Sequence, residues 1–301
     1  MRITAKSYFS GAGGMDLGLV ESGIDIINSY EIDKTACATL RTNFSHNICE
    51  EDITKLTVFD QPEADVYVGT FPCTHYSTAA NMTGTRCGDD LFLHFFRHIA
   101  LAKPEAYVVE NVPGLLKFRV VCEALTRLPD YYVRVECPVN ANLWLPQDRR
   151  RVIIIGTRKP FHHLSYPEAD PIKLKDIVEK DVKCPAELPA YIRNRLDGTT
   201  CGFRTKVLDP DVDNMAPTCL AHYAKDKGTA LLKIGNRYRP FTCKEYARLQ
   251  GFPDWFKFEG TDRDIYRQIG NAVAVPVGRW VGQQLRRYFE YYHDDSNAYI
   301  A

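Results

Sequence analysis

Thr4-Ala5-Lys6-Ser7-Tyr8-Phe9-Ser10-Gly11-Ala12-Gly13-Gly14 decides the fold. Residues 4–9 read as a short strand, the glycines break it, and a helical stretch follows through Val20 and Glu21. Glycines at a strand-to-helix turn permit the tight reversal and let a ligand approach the backbone, and the helix N-terminus beyond favours negative groups. Residues 24–32 are β-branched and apolar, a second strand, and they reach an acid, Glu31, where ribose hydroxyls are usually held. Asp52, one short segment later, is placed to contact an adenine amino group. A glycine turn alone only closes a β-α unit; the two acids turn it into a cofactor site. Three spaced glycines of the dinucleotide type are absent, so a single-nucleoside cofactor such as S-adenosylmethionine fits better.

The alternation continues. Residues 34–43 are helical, 66–68 a buried strand, 91–101 an apolar helix, 107–109 another buried strand, 122–128 helical and 132–135 alternating, and residues 151–156 close with a dense Val-Ile-Ile-Ile run. Such a series predicts an α/β fold: a Rossmann-like, mostly parallel sheet covered by helices. Beyond residue 158 the chain becomes richer in Pro, Asp, Lys and Arg, with weak periodicity, until a helix reappears at 243–250 and a long one follows Gly270-Asn271. The expected division is a catalytic and cofactor-binding domain over 1–157, a small irregular domain over 158–241 and a C-terminal segment over 242–301, its final helix returning to the first domain.

Bulk properties exclude little. With 301 residues, 45% hydrophobic and 25% charged, and a formal net charge of zero, the chain can bury an ample core, and any nucleic-acid face must be local. Its ten cysteines form no C-x-x-C pair or zinc-finger spacing, so no metal site is expected and the thiols suit a reducing cytoplasm. No apolar run reaches membrane length.

Cys73 follows a buried strand and Pro72, where open α/β sheets place their ligands. A thiolate is a strong nucleophile, although a lone cysteine is more often structural. The long, polar stretch 74–90 reads as a loop beside a site. Glu110 ends the next buried strand, able to donate a proton to a ring nitrogen or simply to cap the turn before Pro113. In Gln147-Asp148-Arg149-Arg150-Arg151, strand alternation puts Arg149 and Arg151 on one side, facing a base carbonyl and a phosphate or lying in a solvated cluster.

Read in order, these segments resemble the cytosine-5 DNA methyltransferases: Phe9-Ser10-Gly11-Ala12-Gly13-Gly14, Pro72-Cys73, Glu110-Asn111-Val112, Gln147-x-Arg149-x-Arg151, Ala247-Arg248-Leu249-Gln250-Gly251-Phe252-Pro253 and Gly270-Asn271-Ala272-Val273. The resemblance covers the chain apart from its irregular middle. It implies S-adenosylmethionine as methyl donor, with S-adenosylhomocysteine as product, and double-stranded DNA as substrate. Phe9 would stack on the adenine, the turn from Ser10 to Gly14 would surround the methionine part, Glu31 with Ile32 would bind the ribose, and Asp52 with Ile53 the adenine. Pro72 would shape the pocket, and Asn271, Ala272 and Val273 would close its cofactor side. Cys73 would attack carbon 6 of a flipped-out cytosine, Glu110 would bond ring nitrogen 3, and Arg151, with Arg149 alongside, would hold the carbonyl oxygen. The family also implies a monomer acting in the cytoplasm, beside a cognate restriction enzyme or accessory protein.

Three departures stand out: Ser7-Tyr8-Phe9 where the family has Asp-Leu-Phe, Thr74-His75-Tyr76 where Gln follows the catalytic cysteine, and Gly88-Asp89-Asp90 where an arginine is common. The second keeps a tRNA cytosine-5 methyltransferase, or a non-catalytic nucleic-acid-binding homologue, as the alternative. Target contacts are expected from Ser77 in the loop and from Arg193, Arg195, Arg204, Lys206, His222, Tyr223, Lys225 and Lys227 in the small domain, where basic residues interleave with aromatics.

Overall fold

The computed structural model describes residues 1–72, 91–161, 165–166, 171–198 and 205–293. Cys73, Ser77 and Arg204 lie outside the described residues, as does the 74–90 stretch. The chain groups into two compact units: Met1–Val139 with Arg150–Tyr166 and the segment from Val275 onward, and Asn140–Arg149 with Pro167–Ala274.

The first unit is built on a seven-stranded sheet of order β3-β2-β1-β4-β5-β8-β6. Its strands are β1 (Thr4–Tyr8), β2 (Asp25–Glu31), β3 (Asn47–Glu50), β4 (Val66–Gly69), β5 (Ala106–Asn111), β6 (Tyr132–Asn140) and β8 (Arg150–Thr157). β1 pairs in parallel with both β2 and β4, and β4 with β5, whereas β8 runs antiparallel to β5. The expected parallel α/β sheet is therefore present, with one reversed strand. The chain builds outward from β1 to β3, then returns to lay β4 on the other side of β1. Ligands of open α/β sheets bind at such a reversal, beyond the carboxyl ends of the strands. The central strands β4 and β5 are buried along their whole length, which explains their unbroken apolar runs.

Helices α1 (Gly14–Glu21), α2 (Lys34–Asn43), α3 (Leu91–Ala102), α4 (Arg119–Thr126) and α9 (Val275–His293) belong to this unit. Asp33 caps α2, its carboxylate accepting from the Thr35 and Ala36 N–H groups. α9 lies so close to α1 that a Cβ on Gly18 would sit 2.3 Å from the Arg279 nitrogen and 2.4 Å from the Val275 carbonyl oxygen.

The second unit contains β7 (Gln147–Asp148) paired with β10 (Ala216–Pro217), and a three-stranded sheet of β9 (Lys206–Leu208), β11 (Ala230–Ile234) and β12 (Arg237–Arg239). Its helices are α5 (Leu174–Ile177), α6 (Ala190–Leu196), α7 (Cys243–Leu249) and α8 (Asp262–Asn271). Tyr223, Phe241, Tyr246 and Tyr266 pack ring on ring at its centre, with Tyr223 and Tyr246 stacked at 4.7 Å. Arg239 meets Glu245 through two bonds, of 2.7 and 2.6 Å, with both side chains buried. The units cut the chain differently from the expected division at 157 and 241. β7 pairs with β10, and α7 and α8 pack on the aromatic cluster, so 140–149 and 242–274 join the middle segment. Among the described residues no helix is long and apolar enough to cross a membrane.

Alanine at position 18 is favoured by helix propensity by about 1 kcal/mol, but here its methyl meets backbone that cannot swing aside. Gly18→Ala is expected to destabilise the protein by about 2 kcal/mol net, the usual cost of overpacking outweighing the helical gain. Thermal denaturation followed by circular dichroism checks the sign; a raised melting temperature contradicts the contact.

Candidate active site

The turn after β1 is held from β2 and from the residue that follows β4. Phe9 has φ 61, a left-handed conformation that a bulky residue adopts only under constraint. The Thr70 hydroxyl donates to the Phe9 carbonyl at 2.9 Å, and the Ser10 N–H to the Tyr30 carbonyl at 3.2 Å. Gly11 has φ 55 and nothing within 4 Å of where a Cβ would stand, so the turn presents bare backbone to open space. Gly13 caps α1 with φ 83 and no side-chain bond. The start of this helix therefore keeps N–H groups to offer a ligand.

Glu31 closes the turn from the next strand. Its carboxylate accepts the Gly11 N–H at 2.7 Å on Oε2, and the Ile32 and Asp33 N–H groups at 2.8 Å on Oε1. Ile32 is exposed beside it and Ile53 is buried. Hydrogen bonds from the Thr54 backbone and hydroxyl hold the Asp52 carboxyl below the usual carboxylate range. Phe9 meets Phe71 edge to face, centroids 6.3 Å apart. Bare turn backbone, an acid at the end of β2 and a half-buried aromatic beside it fit an adenosyl group carrying a charged amino-acid tail.

A second cluster lies at the ends of β4, β5 and β8. Glu110 and Arg151 form an ion pair, Oε1 to Nε 3.0 Å, with side-chain exposures of only 9% and 15%. Neighbouring Asn111 is buried; its amide donates to the Phe71 carbonyl at 3.0 Å, and its oxygen accepts the Val112 N–H at 2.9 Å. It fixes the backbone two residues before Cys73. The motif Glu110-Asn111-Val112 contained this residue, yet the sequence alone assigned it no role. Pro72 is exposed at the end of the described segment.

Other expected residues are placed differently. Arg149, expected to act with Arg151, is engaged with backbone carbonyls. It is buried in the second unit, and its guanidinium donates to the carbonyls of Cys219, Gly270 and Ala272 at 3.3, 3.2 and 2.7 Å. Its role there is to hold backbone. Ala272 and Val273 are buried, and Asn271 is exposed at the end of α8. Tyr223, expected as a nucleic-acid contact, lies in the aromatic core, its hydroxyl donating to the Ala230 carbonyl at 2.7 Å. Arg195 is committed to Asp226 by two bonds, of 2.8 and 2.7 Å, and Arg193 pairs with Glu187 at 3.3 Å. Lys227 sits over the Tyr266 ring at 5.0 Å. Lys206, His222 and Lys225 are exposed. No group of metal-binding side chains occurs among the described residues.

The chain is 30% identical over 307 residues to the Type II methyltransferase M.Bsp6I of Bacillus sp. (strain RFL6), covering 93% of this chain and 97% of that one. It is 32% identical over 302 residues to the Type II methyltransferase M.NlaX of Neisseria lactamica, covering 92% and 94%. Among solved structures, a methyltransferase of Entamoeba histolytica superposes with a TM-score of 0.80 at 18% identity over 98% of this chain and 100% of that one. A DNA modification methyltransferase encoded within an E. coli prophage gives 0.74 at 23% identity, covering 96% and 99%. These two likenesses are of fold. The family model for C-5 cytosine-specific DNA methylases matches residues 3–194 and 201–287, and the chain belongs to that family.

Proposed function

We propose that the protein transfers a methyl group from S-adenosylmethionine to carbon 5 of a cytosine flipped out of double-stranded DNA, through a covalent adduct with Cys73. The observation that carries this reading is the Glu110–Arg151 pair at the strand ends, one strand from the segment that leads into Cys73. When bound, S-adenosylmethionine supplies an electrophilic methyl group on a sulfonium. The turn 9–14 and Glu31 bind its amino-acid and ribose parts, and Asp52 and Phe9 its adenine.

An aromatic carbon 5 is a weak nucleophile, and covalent addition makes it a stronger one. The Cys73 thiolate forms a bond to carbon 6, and the ring's π electrons move toward carbon 5 and nitrogen 3. Glu110, as the acid, donates to nitrogen 3, while Arg151 donates to the carbonyl oxygen at position 2, so the charge on the ring is neutralised as it develops. The bound donor would supply the methyl that carbon 5 takes, the methyl–sulfur bond breaking with its electrons to sulfur, while Glu110 and Arg151 hold the base. Nitrogen 3 returns its proton to Glu110, water removes the carbon-5 proton, the electron pair restores the ring double bond, and the carbon–sulfur bond breaks to return the thiolate. Extrusion of the base from the duplex precedes all of this, since carbon 6 is inaccessible within the stack.

The second unit serves target recognition, with Lys206, His222 and Lys225 its exposed basic and polar residues. Its small size suits a short or loosely defined site. The protein would act as a monomer in the cytoplasm, protecting DNA from a cognate restriction enzyme. A long, strictly defined site in bisulfite sequencing of treated plasmid DNA contradicts the short-target reading.

Duplex DNA carrying 5-fluorocytosine is expected to trap the protein as a denaturation-resistant adduct. Cys73→Ser abolishes it; an adduct that persists in this variant overturns the mechanism. Glu110→Gln is expected to lower kcat by about a hundred- to ten-thousand-fold, the usual worth of a positioned general acid, with DNA affinity retained in a gel-shift assay. Arg149→Ala is expected instead to lower the melting temperature, since its guanidinium holds backbone.

A further inference from the structure

One buried acid has no part in the chemistry above. Asp16 stands in the first turn of α1 with no solvent exposure. Its Oδ1 accepts the Ser7 hydroxyl at 2.5 Å and its Oδ2 the Ser29 hydroxyl at 2.6 Å. Ser7 and Ser29 are register partners across β1 and β2, so the carboxylate bridges the two strands one pair before their last partners, Tyr8 and Tyr30. The Ser10 hydroxyl lies 2.9 Å from that of Ser7 and donates to the Ser7 carbonyl at 3.2 Å, while the Ser10 carbonyl accepts the Gly13 N–H at 2.9 Å. On its outer side the Ser29 hydroxyl is 2.7 Å from Nε2 of half-buried His46.

A carboxylate in this position carries a desolvation cost. Burial holds the Asp16 carboxyl above the usual carboxylate range, an upward push that the hydroxyls of Ser29, Ser7 and Ser10 together with His46 only partly offset. Two facing serines could bond each other without it. What the acid adds is a pair of short bonds that fix β1, β2 and the first turn of α1 at one point. The Gly11 N–H and the Glu31 carboxylate meet a few residues farther along these two chains. Ser7, where the family carries an acid, is one of the two donors.

We infer that Asp16 is a positioning residue for the methyl donor: through Ser7, Ser10 and Ser29 it sets the turn 9–14 against the end of β2, so that Gly11 and Glu31 present one fixed edge to the adenosyl group. The inference rests on the donor site proposed above. Asp16 touches neither donor nor base, so its effect falls on donor affinity and not on the chemical step.

The test uses the full chain, with S-adenosylhomocysteine binding by calorimetry and steady-state methyl transfer to duplex DNA. Asp16→Asn is expected to raise the dissociation constant for S-adenosylhomocysteine, and KM for the donor, about ten-fold or more, the scale of a lost bond to a charged group. At saturating donor, kcat stays within about two-fold, as it does when only uniform binding is lost. DNA affinity is unchanged. Combined with Glu31→Gln, the loss is less than additive, because both act on one edge. Ser29→Ala, which leaves the Ser7 bond in place, gives a smaller shift of the same kind and serves if Asp16→Asn does not fold. Unchanged donor affinity in both variants, or additive losses with kcat and DNA binding falling together, overturns the inference. Wild-type protein that does not bind S-adenosylhomocysteine overturns the donor site itself, a separate result.

Discussion

The Glu31 carboxylate accepts N–H groups from Gly11, Ile32 and Asp33, and the shape of the strand-end site depends on how it divides its acceptor positions. A carboxylate offers about four lone-pair sites. Oε1 spends both of its own on the start of the α2 segment, and Oε2 spends one on the glycine turn. That leaves one position, on Oε2, for a hydroxyl arriving from outside. The acid is thus a strut between two loops before it is a ligand to anything. Its bond to Gly11 also explains why the turn tolerates Phe9 at φ 61: neighbouring backbone is tied to β2 and β4, and a conformation costing about 1–3 kcal/mol persists where surroundings over-determine it.

The first unit's fold was legible in sequence because its signals are strong and local. Buried parallel strands such as Val66–Gly69 and Ala106–Asn111 read as unbroken apolar runs, and the glycine turn punctuates the first β-α unit. Apart from the helix at Cys243–Leu249, the second unit was not legible. Lys206–Leu208 and Arg237–Arg239 are three residues long, too short for a period-two alternation to emerge, and α8 carries a mostly polar face over Asp262–Asn271. Its core is made by tyrosines whose hydroxyls find backbone carbonyls, and an isolated Tyr223 between His222 and Lys225 reads equally well as a surface aromatic.

Arg149 and Arg151 show the same limit at the site. Two residues apart on a strand pattern, they are equivalent by alternation. They differ through distant carbonyls: Cys219, Gly270 and Ala272 receive Arg149, separated from it by 70, 121 and 123 residues. No local rule contains that information. Asn111 was missed for a related reason, since its bond to the Phe71 carbonyl spans 40 residues.

The pairing of Glu110 with Arg151 bears on how a base is received. At 3.0 Å, with little exposure on either side, each group holds the other in place and offsets part of its desolvation. Both stand on paired strands, β5 and β8, so their backbone anchors move little. Asn111, from the same strand end, holds the segment leading to the cysteine. Acid, cation and the approach to the nucleophile are therefore all referenced to β5. A cytosine edge that takes a donor from each member of this pair exchanges one contact for two, with little reorganisation of the protein. Such preorganisation is the term on which electrostatic catalysis depends most.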